Sequence, residues 1–400
     1  MRISTVTMFE QSVQSLNQQQ SDFMQVGRQI ASGRRVVNPS DDPQAAAQAV
    51  GIANSIGVLE QYTDSRISAR NSLAQEESVL ASVSDALGSA KTLMVQAING
   101  TLSDTDRFSV ATELEAIFGT VLGQANAADG NGRYLFGGFG DDTPPFTDDG
   151  AGNIEYQGDG NTRQQRVDAS RLIDVSDNGE RIFQSIQPGS GFIAEANAGN
   201  TGEVTFKGPG VTDPSDPGFG LEYEIEFFVD ASGTTTFEIN GGAAVPYTEG
   251  EVINFGGLSL ELNGEAQNGD RIVVDRAENR EPDVFATLKK ALDVMQTPIE
   301  TGADRAALEN TLNTVMRELD NSLDNVLAVR ASVGGRLNEL DVIDGVAESR
   351  LLSYQTNLSG LMDLDYNEAI AEYSLRQVGL QAAQKSFVDV NGMSLFDYLR

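Results

Sequence analysis

The side chains able to do chemistry in this chain are carboxylates, lysine, tyrosine and serine. Its 400 residues include no histidine, no cysteine and no tryptophan. Without His there is no Ser-His-Asp or Cys-His machinery and no imidazole metal site. Without Cys there is no disulfide, thiolate nucleophile or cysteine zinc site. What remains is 59 acids against 27 bases, a net charge of -32. Paired carboxylates could serve glycoside hydrolysis. So many acids make close pairs inevitable, however, and a solvated acidic face accounts for them better. Gly137-Gly138-Phe139-Gly140-Asp141-Asp142 matches the start of a calcium-binding Gly-Gly-x-Gly-x-Asp repeat. It occurs once, with Pro144 where a larger apolar residue belongs, and reads as a loop. Asp148-Asp149-Gly150 lacks EF-hand spacing and the terminal Glu. No Lys follows a Gly, so there is no Walker-type loop, and there is no Gly-x-Ser-x-Gly elbow. No catalytic residue, no metal and no cofactor is expected, and the chain does not read as an enzyme.

The elements around these residues separate by composition. Residues 1–140 carry a net charge of -5, residues 141–280 carry -18 and residues 281–400 carry -9. The middle region also holds 21 of the 41 Gly and 7 of the 11 Pro, the residues that punctuate turns. The order is therefore helical, then strand and turn, then helical. The acidity argues against nucleic acid, which needs clustered cations. No apolar run approaches the ~20 residues that span a bilayer, so no membrane partner is expected. The N-terminus is Gln/Ser-rich without an apolar core, unlike a cleaved secretory signal.

Phe9, Val13, Leu16, Gln20, Phe23, Gly27 and Ile30 recur at heptad spacing. The spacing predicts a helix ending at Ser32-Gly33, since Gly favours the position past a helix end. Asn38 to Pro43 forms a turn in which Asp41 or Asp42 caps a second helix, with Pro43 in its first turn. That helix runs to about Asn99, its seam interrupted at Thr63, Arg66 and Arg70. A third runs from Ser103-Asp104 to Ala125. Near the other end, Leu308 to Leu361 keep a 4-3 rhythm with one stutter at Leu337. A last helix carries Tyr366, Ile370, Tyr373, Gln377, Leu380, Gln384 and Phe387. Both terminal seams are diluted by Gln or Gly. Such helices bury little apolar area alone and are marginal in isolation. An interface with copies or a partner is favoured over packing confined to one chain.

The middle region alternates by twos. Leu221 to Phe227 is an apolar/acidic strand. Other strands are expected near 163–168, 181–186, 202–207, 234–239, 252–262 and 271–275. Short strands with frequent turns point to a sandwich or barrel-like domain. The fold class is α+β: a long antiparallel helical bundle or coiled coil formed by both chain ends, with an inserted all-β domain. The expected boundaries are 1–40 and 364–400 for the terminal helices, 41–140 and 281–363 for the bundle, and 141–280 for the β insertion.

At this point the residues resemble a known family. Gln29 to Pro43, with Gly33, Asn38, Asp41 and Asp42, is similar to the flagellin-family segment in which a helix ends at Ser-Gly-x-Arg and an Asp-Asp starts the next. Val329 to Asn338, with Arg330, Gly334 and Asn338, resembles that family's Arg-x-x-x-Gly-Ala-x-x-Asn-Arg, with Gly335 where Ala is common. Asp363-Leu364-Asp365-Tyr366 resembles its closing Asp-x-Asp-Tyr. Three features resemble the branch that joins hook to filament rather than flagellin proper. The chain begins Met1-Arg2-Ile3-Ser4. Asn131 to Gly138 closes the helical region, with Tyr134, Phe136 and Gly138, followed by Pro145-Phe146. Ile154 to Asp159 opens the β part.

The resemblance implies a structural component of the bacterial flagellum, exported unfolded without a cleaved signal and residing outside the cell. Its implied partners are the hook-side junction protein (hook-associated protein 1), flagellin on the filament side, copies of itself in a ring, and an export chaperone at the C-terminal helix. It implies an inner coiled coil from the terminal helices, disordered before assembly. The interface would be carried by Phe9, Val13, Leu16, Phe23, Ile30, Tyr366, Ile370, Tyr373, Leu380 and Phe387. The β insertion would face solvent. Rival readings are a filament subunit proper, a carboxylate-dependent glycan-acting enzyme, and a surface adhesin with a pocket in residues 190–280.

Overall fold

The structure, a computed structural model, describes residues 5–100, 102–280 and 283–396. Met1-Arg2-Ile3-Ser4, the expected boundary at 281 and the last four residues lie outside them. The first three helices fall where the sequence pattern puts them. Helix α1 is Thr5–Ser32, α2 is Pro43–Ala97 and α3 is Asp104–Ala125. Each begins or ends at a polar device or glycine the sequence carries. Gly33, at φ 67°, follows α1 in the left-handed conformation glycine tolerates. Asp42 accepts from the Ala45 amide at 3.0 Å and caps α2. Ser103 and Asp106 form a reciprocal capping box on α3.

The middle of the chain holds twelve strands, one short α-helix and a single 3-10 turn at Ala277–Asn279 among the described residues. Strands β1 (Phe146–Asp148) and β2 (Ile154–Tyr156) form one hairpin, and β3 (Gln164–Asp168) and β4 (Arg171–Asp174) another. Helix α4 (Gly179–Phe183) follows. Then come β5 (Phe192–Ala196), β6 (Thr205–Val211), β7 (Tyr223–Val229), β8 (Thr235–Ile239) and β9 (Val245–Pro246). The last strands are β10 (Val252–Phe255), β11 (Leu258–Asn263) and β12 (Arg271–Arg276). They make two antiparallel sheets, ordered β10-β11-β6 and β5-β12-β7-β8-β9. Alternation decides what lies between them. Tyr223, Ile225 and Phe227 of β7 point inward to meet Phe206, Leu258, Leu260 and Ile272 in one core, while Glu224 and Glu226 face outward toward Arg271. Each fully buried side chain of this kind contributes roughly 1.5–3 kcal/mol.

Two expected strands differ. Residues 181–186 are not a strand: Asn178 accepts from the Arg181 amide at 3.0 Å and starts α4. A local cap outweighed the short apolar run. Residues 252–262 are two strands, because Gly256 and Gly257 both take positive φ, 50° and 74°. That is the geometry of a two-residue hairpin turn.

The chain ends in α5 (Val284–Gln296), α6 (Gly302–Met362) and α7 (Tyr366–Phe396). It divides into two compact units. One comprises the described residues of 1–64 and 342–400, and the other is Ser65–Asp341. In the second unit α6 caps open sheet edges with polar side chains. Asn310 accepts from Phe206 N at 3.1 Å and donates to Val204 O at 2.9 Å. Thr314 donates to Ala194 O at 2.7 Å. The edge strands β6 and β5 are thereby covered rather than left as templates.

The interruptions in the α2 seam also have a use. Arg66 is buried and donates to Val167 O at 3.0 Å, holding the β3–β4 hairpin. Arg171 of that hairpin pairs with Glu339 of α6 at 2.7 Å. Beyond it, Arg336 of α6 donates to Asp174 O at 3.0 Å and pairs with Asp177. Glu76 of α2 is only 2% exposed and accepts from the Asp177 amide at 3.0 Å. Burial, followed by the nearby Asp177 carboxylate, pushes its carboxyl up to about 8; Arg336 opposes the rise. The folded state therefore favours the protonated acid. Glu76 leaves stability unchanged below its ordinary value near 4.5, and stability falls as pH rises from there to about 8. Glu76→Gln keeps the acceptor for Asp177 and removes the charge. The variant is expected to melt with wild type near pH 4.5 and to exceed it at pH 8, by on the order of a few kcal/mol. Thermal melts at both pH values check this, and a gap that does not widen with pH would refute it.

Candidate assembly site

In the terminal unit α1 and α7 run antiparallel with a matched register. The Phe9 and Phe387 rings lie 5.4 Å apart and those of Phe23 and Tyr373 4.6 Å apart. Both pairs are fourteen residues apart on each helix, two heptads, so the contacts recur in step. Small residues allow the approach. A Cβ at Gly27 would stand 3.6 Å from the Tyr373 ring, and one at Gly379 3.2 Å from Gln19. An ion pair between Arg376 and Asp22, at 3.1 Å, crosses the same face.

Not every seam residue lies on that face. Val13, Leu16, Phe23, Ile30, Tyr373, Leu380 and Phe387 are half-buried, while Phe9 keeps part of its ring in solvent. Tyr366 and Ile370 are exposed, at 51% and 54%. The face that α1 covers on α7 instead runs through Ala369, Tyr373, Arg376, Leu380, Ala383 and Phe387. Its spacing is also 4-3. It shares Tyr373, Leu380 and Phe387 with the seam of large apolar residues and lies one position off it elsewhere. A charged Arg376 and the small Ala369 and Ala383 hid it from a reading of large apolar side chains. Leu375 and Val378 point elsewhere again and are 70% and 62% exposed. Helix α7 thus carries apolar residues nearly all round while one neighbour covers one side. A helix of that kind is suited to being surrounded.

A clasp joins the ends of the two helices. Arg35 N donates to Met362 O at 2.8 Å, and Leu364 N donates to Gly33 O at 3.1 Å. The Arg35 guanidinium donates to Leu361 O at 2.7 Å and to Asp42 at 3.2 Å. The Ala45 amide, then Arg35, hold the Asp42 carboxyl below its usual range. Asp41 accepts from the Val37 and Asn38 amides at 3.2 and 2.8 Å and ties the turn. A Cβ at Gly33 would lie 3.0 Å from the Tyr366 hydroxyl, besides straining the positive φ. Gly33→Ala is expected to cost about 1–2 kcal/mol of local stability. Hydrogen exchange at the Arg35 and Leu364 amides should then quicken by roughly tenfold; unchanged rates would contradict the clasp.

The other motif residues lie in the second unit. Phe136 and Phe146 sit in an aromatic cluster with Phe183 and Phe285, with ring separations of 5.2–5.9 Å. The cluster pins the first hairpin to α4 and α5. Tyr134 N donates to Asp141 O at 2.9 Å, and Pro145 is buried beside Phe146. Gly138, at φ 71°, lies where any Cβ would strike Asp159. Asp141, in the calcium-like segment, instead pairs with Arg163 at 2.9 Å. Arg330 grips Glu77 at 2.7 Å. Asn338 is exposed, and a Cβ at Gly334 would meet nothing within 4 Å, so nothing among the described residues requires glycine there.

Paired chain ends around a β insertion define a structural subunit of the flagellin class. Residues 3–141 match the bacterial flagellin N-terminal helical region. The chain is 33% identical, over 99% of both chains, to flagellar hook-associated protein 3 of Escherichia coli (strain K12). Its structure is similar to that of the flagellar junction protein FlgL from Legionella pneumophila. That match has a TM-score of 0.69 at 26% identity and covers 79% of this chain and 100% of that one. FlgL of Xanthomonas campestris gives 0.68 at 29% identity, covering 77% and 99%. The chain belongs to the flagellar hook-associated protein 3 family, structural components of the flagellum.

Proposed function

We propose that this chain forms the ring that couples hook to filament. Its neighbours would be hook-associated protein 1 on the hook side, flagellin on the filament side and further copies of itself. The observation that carries the reading is the surplus of apolar surface in the terminal unit. Of 22 large apolar residues exposed among the described ones, twelve lie in that unit, less than a third of the chain. Exposed apolar area on this scale marks an interaction surface. Phe9, Tyr366, Ile370, Leu375 and Val378 would be covered by neighbouring helices in the assembly, beside the half-buried residues α1 and α7 already share.

The chain would leave the cell unfolded through the flagellum-specific export apparatus, without a cleaved signal. A chaperone would cover the apolar sides of α7 before export. Helices α1 and α7 would become ordered only on assembly, since each buries one thin face against the other. Amide exchange in the free chain tests this ordering: protection of both helices equal to that of α6 would refute it. Deletion followed by electron microscopy tests the function. Hooks without filaments, with flagellin shed into the medium, are expected, and full-length filaments on the deletion strain would overturn the proposal.

A further inference from the structure

Phe139 is 63% exposed, more than any other exposed aromatic residue among those described. Its loop is nevertheless held from several sides. The Phe139 amide donates to Asp159 at 3.0 Å, and Asp159 N donates to Gly137 O at 3.3 Å. A Cβ at Gly137 would lie 2.8 Å from Gly140 O, so the turn tolerates only glycine there. The Asp141–Arg163 pair anchors the far side. An aromatic ring presented on a fixed backbone loses little freedom on docking, which is the form binding hot spots take.

A receptacle of matching character lies on the terminal unit. Val36, Val37, Pro39, Ala49, Val50 and Leu358 line a cleft of about 380 Å³ that Arg34, Asn38 and Asp363 also border. The Asp363 carboxylate already accepts from the Ser359 hydroxyl, whereas Arg34 has no such partner among the described residues. The clasp fixes its floor, and Val50 is 62% exposed at its edge. Arg34 and Asp142 are both exposed, and no ion pair among the described residues engages either. One surface thus offers an aromatic knob with an acid three residues on. The other offers an apolar hole with a free cation. Copies carrying a net charge of -32 repel one another, so a contact between them needs a cation set against an acid.

We propose that Phe139 of one copy inserts into this cleft of a second copy, with Asp142 pairing to Arg34 at the rim. The contact is heterologous, knob to hole, so it propagates from copy to copy and can close a ring. It rests on the ring reading above and adds a specific contact to it.

The chain has no cysteine, so engineered ones report without background. Full-length chain carrying Phe139→Cys and Val50→Cys would replace wild type in cells, and isolated flagella would be oxidised and run without reductant. A ladder of linked copies is expected from the double variant and monomers from either single one. Intact flagella yielding only monomers would overturn the contact and leave the ring standing. Failure of the unaltered chain to restore filaments in the deletion strain would overturn the ring reading instead. If the cysteine pair stops assembly, charge exchange decides. Arg34→Glu and Asp142→Arg should each lower motility several-fold, and the two together should restore it. Losses that add without rescue would refute the pairing.

Discussion

Cells whose only copy carries Phe387→Asp are expected to swim no better than a deletion strain. The Phe387 ring packs 5.4 Å from Phe9, two heptads from the Phe23–Tyr373 pair. A carboxylate there would have to be desolvated against apolar neighbours, at a cost of several kcal/mol. Register along α1 and α7 would lose one of its two aromatic anchors. Phe387 and Phe9 both belong to the terminal unit, so the thermal transition of the second unit should be unchanged and the variant should still be made and exported. Motility plates, electron microscopy and a melt of purified protein together check the expectation. Normal filaments on the variant would mean that the paired termini are not the assembly interface.

Asn325→Ala should remove a large part of the second unit's stability. Asn325 is 2% exposed on α6. Its amide donates to the carbonyls of Arg181, Ile182 and Ser185 at 2.8, 3.0 and 2.9 Å, and its carbonyl accepts from Gln187 at 3.0 Å. One side chain therefore satisfies the end of α4, where Phe183 enters the aromatic cluster. Alanine would leave buried carbonyls without a donor, at ~1–3 kcal/mol each where water cannot reach them. A total loss of about 3–5 kcal/mol is expected, readable as a lower denaturation midpoint in urea. A loss under ~1 kcal/mol would show that α4 is held by its aromatic contacts alone.

The helical parts could be read from the sequence because long heptad runs leave little choice. Along the Leu308 to Leu361 stretch the 4-3 spacing picks out Leu308, Leu312, Val315, Val326 and Val333, and all five are buried. The sheets were readable where apolar and acidic residues alternate, as in β7. They were misread where one residue sets the backbone. Asn178 turned an apolar run into a helix, and Gly256-Gly257 cut a strand in two. Polar residues inside the fold were also hidden. Arg66 looked like a break in a seam, yet it holds a hairpin, and Asn310 and Thr314 act through sheet backbone far away in sequence. At the candidate assembly site the heptad spacing names the seam residues, but the face α1 covers on α7 includes Arg376 and Ala383, which a search for large apolar residues passes over. Gly334 and Asn338 stand out only by resemblance, and no packing among the described residues explains them.

The partners of the terminal helix pair lie more than three hundred residues apart in sequence. Phe9 meets Phe387, and Arg35 meets Met362. No fragment that stops short can make these contacts, whichever end it lacks. Loop closure over so long a separation grows only logarithmically in cost, so the full chain is hardly penalised. In the proposed assembly, seating in the ring would double as a check that both helices are present: a subunit that has lost one to proteolysis has half a zipper and nothing to close it on. The flagellum would need no separate inspector for its joint, because incomplete subunits would diffuse away before the next component arrives.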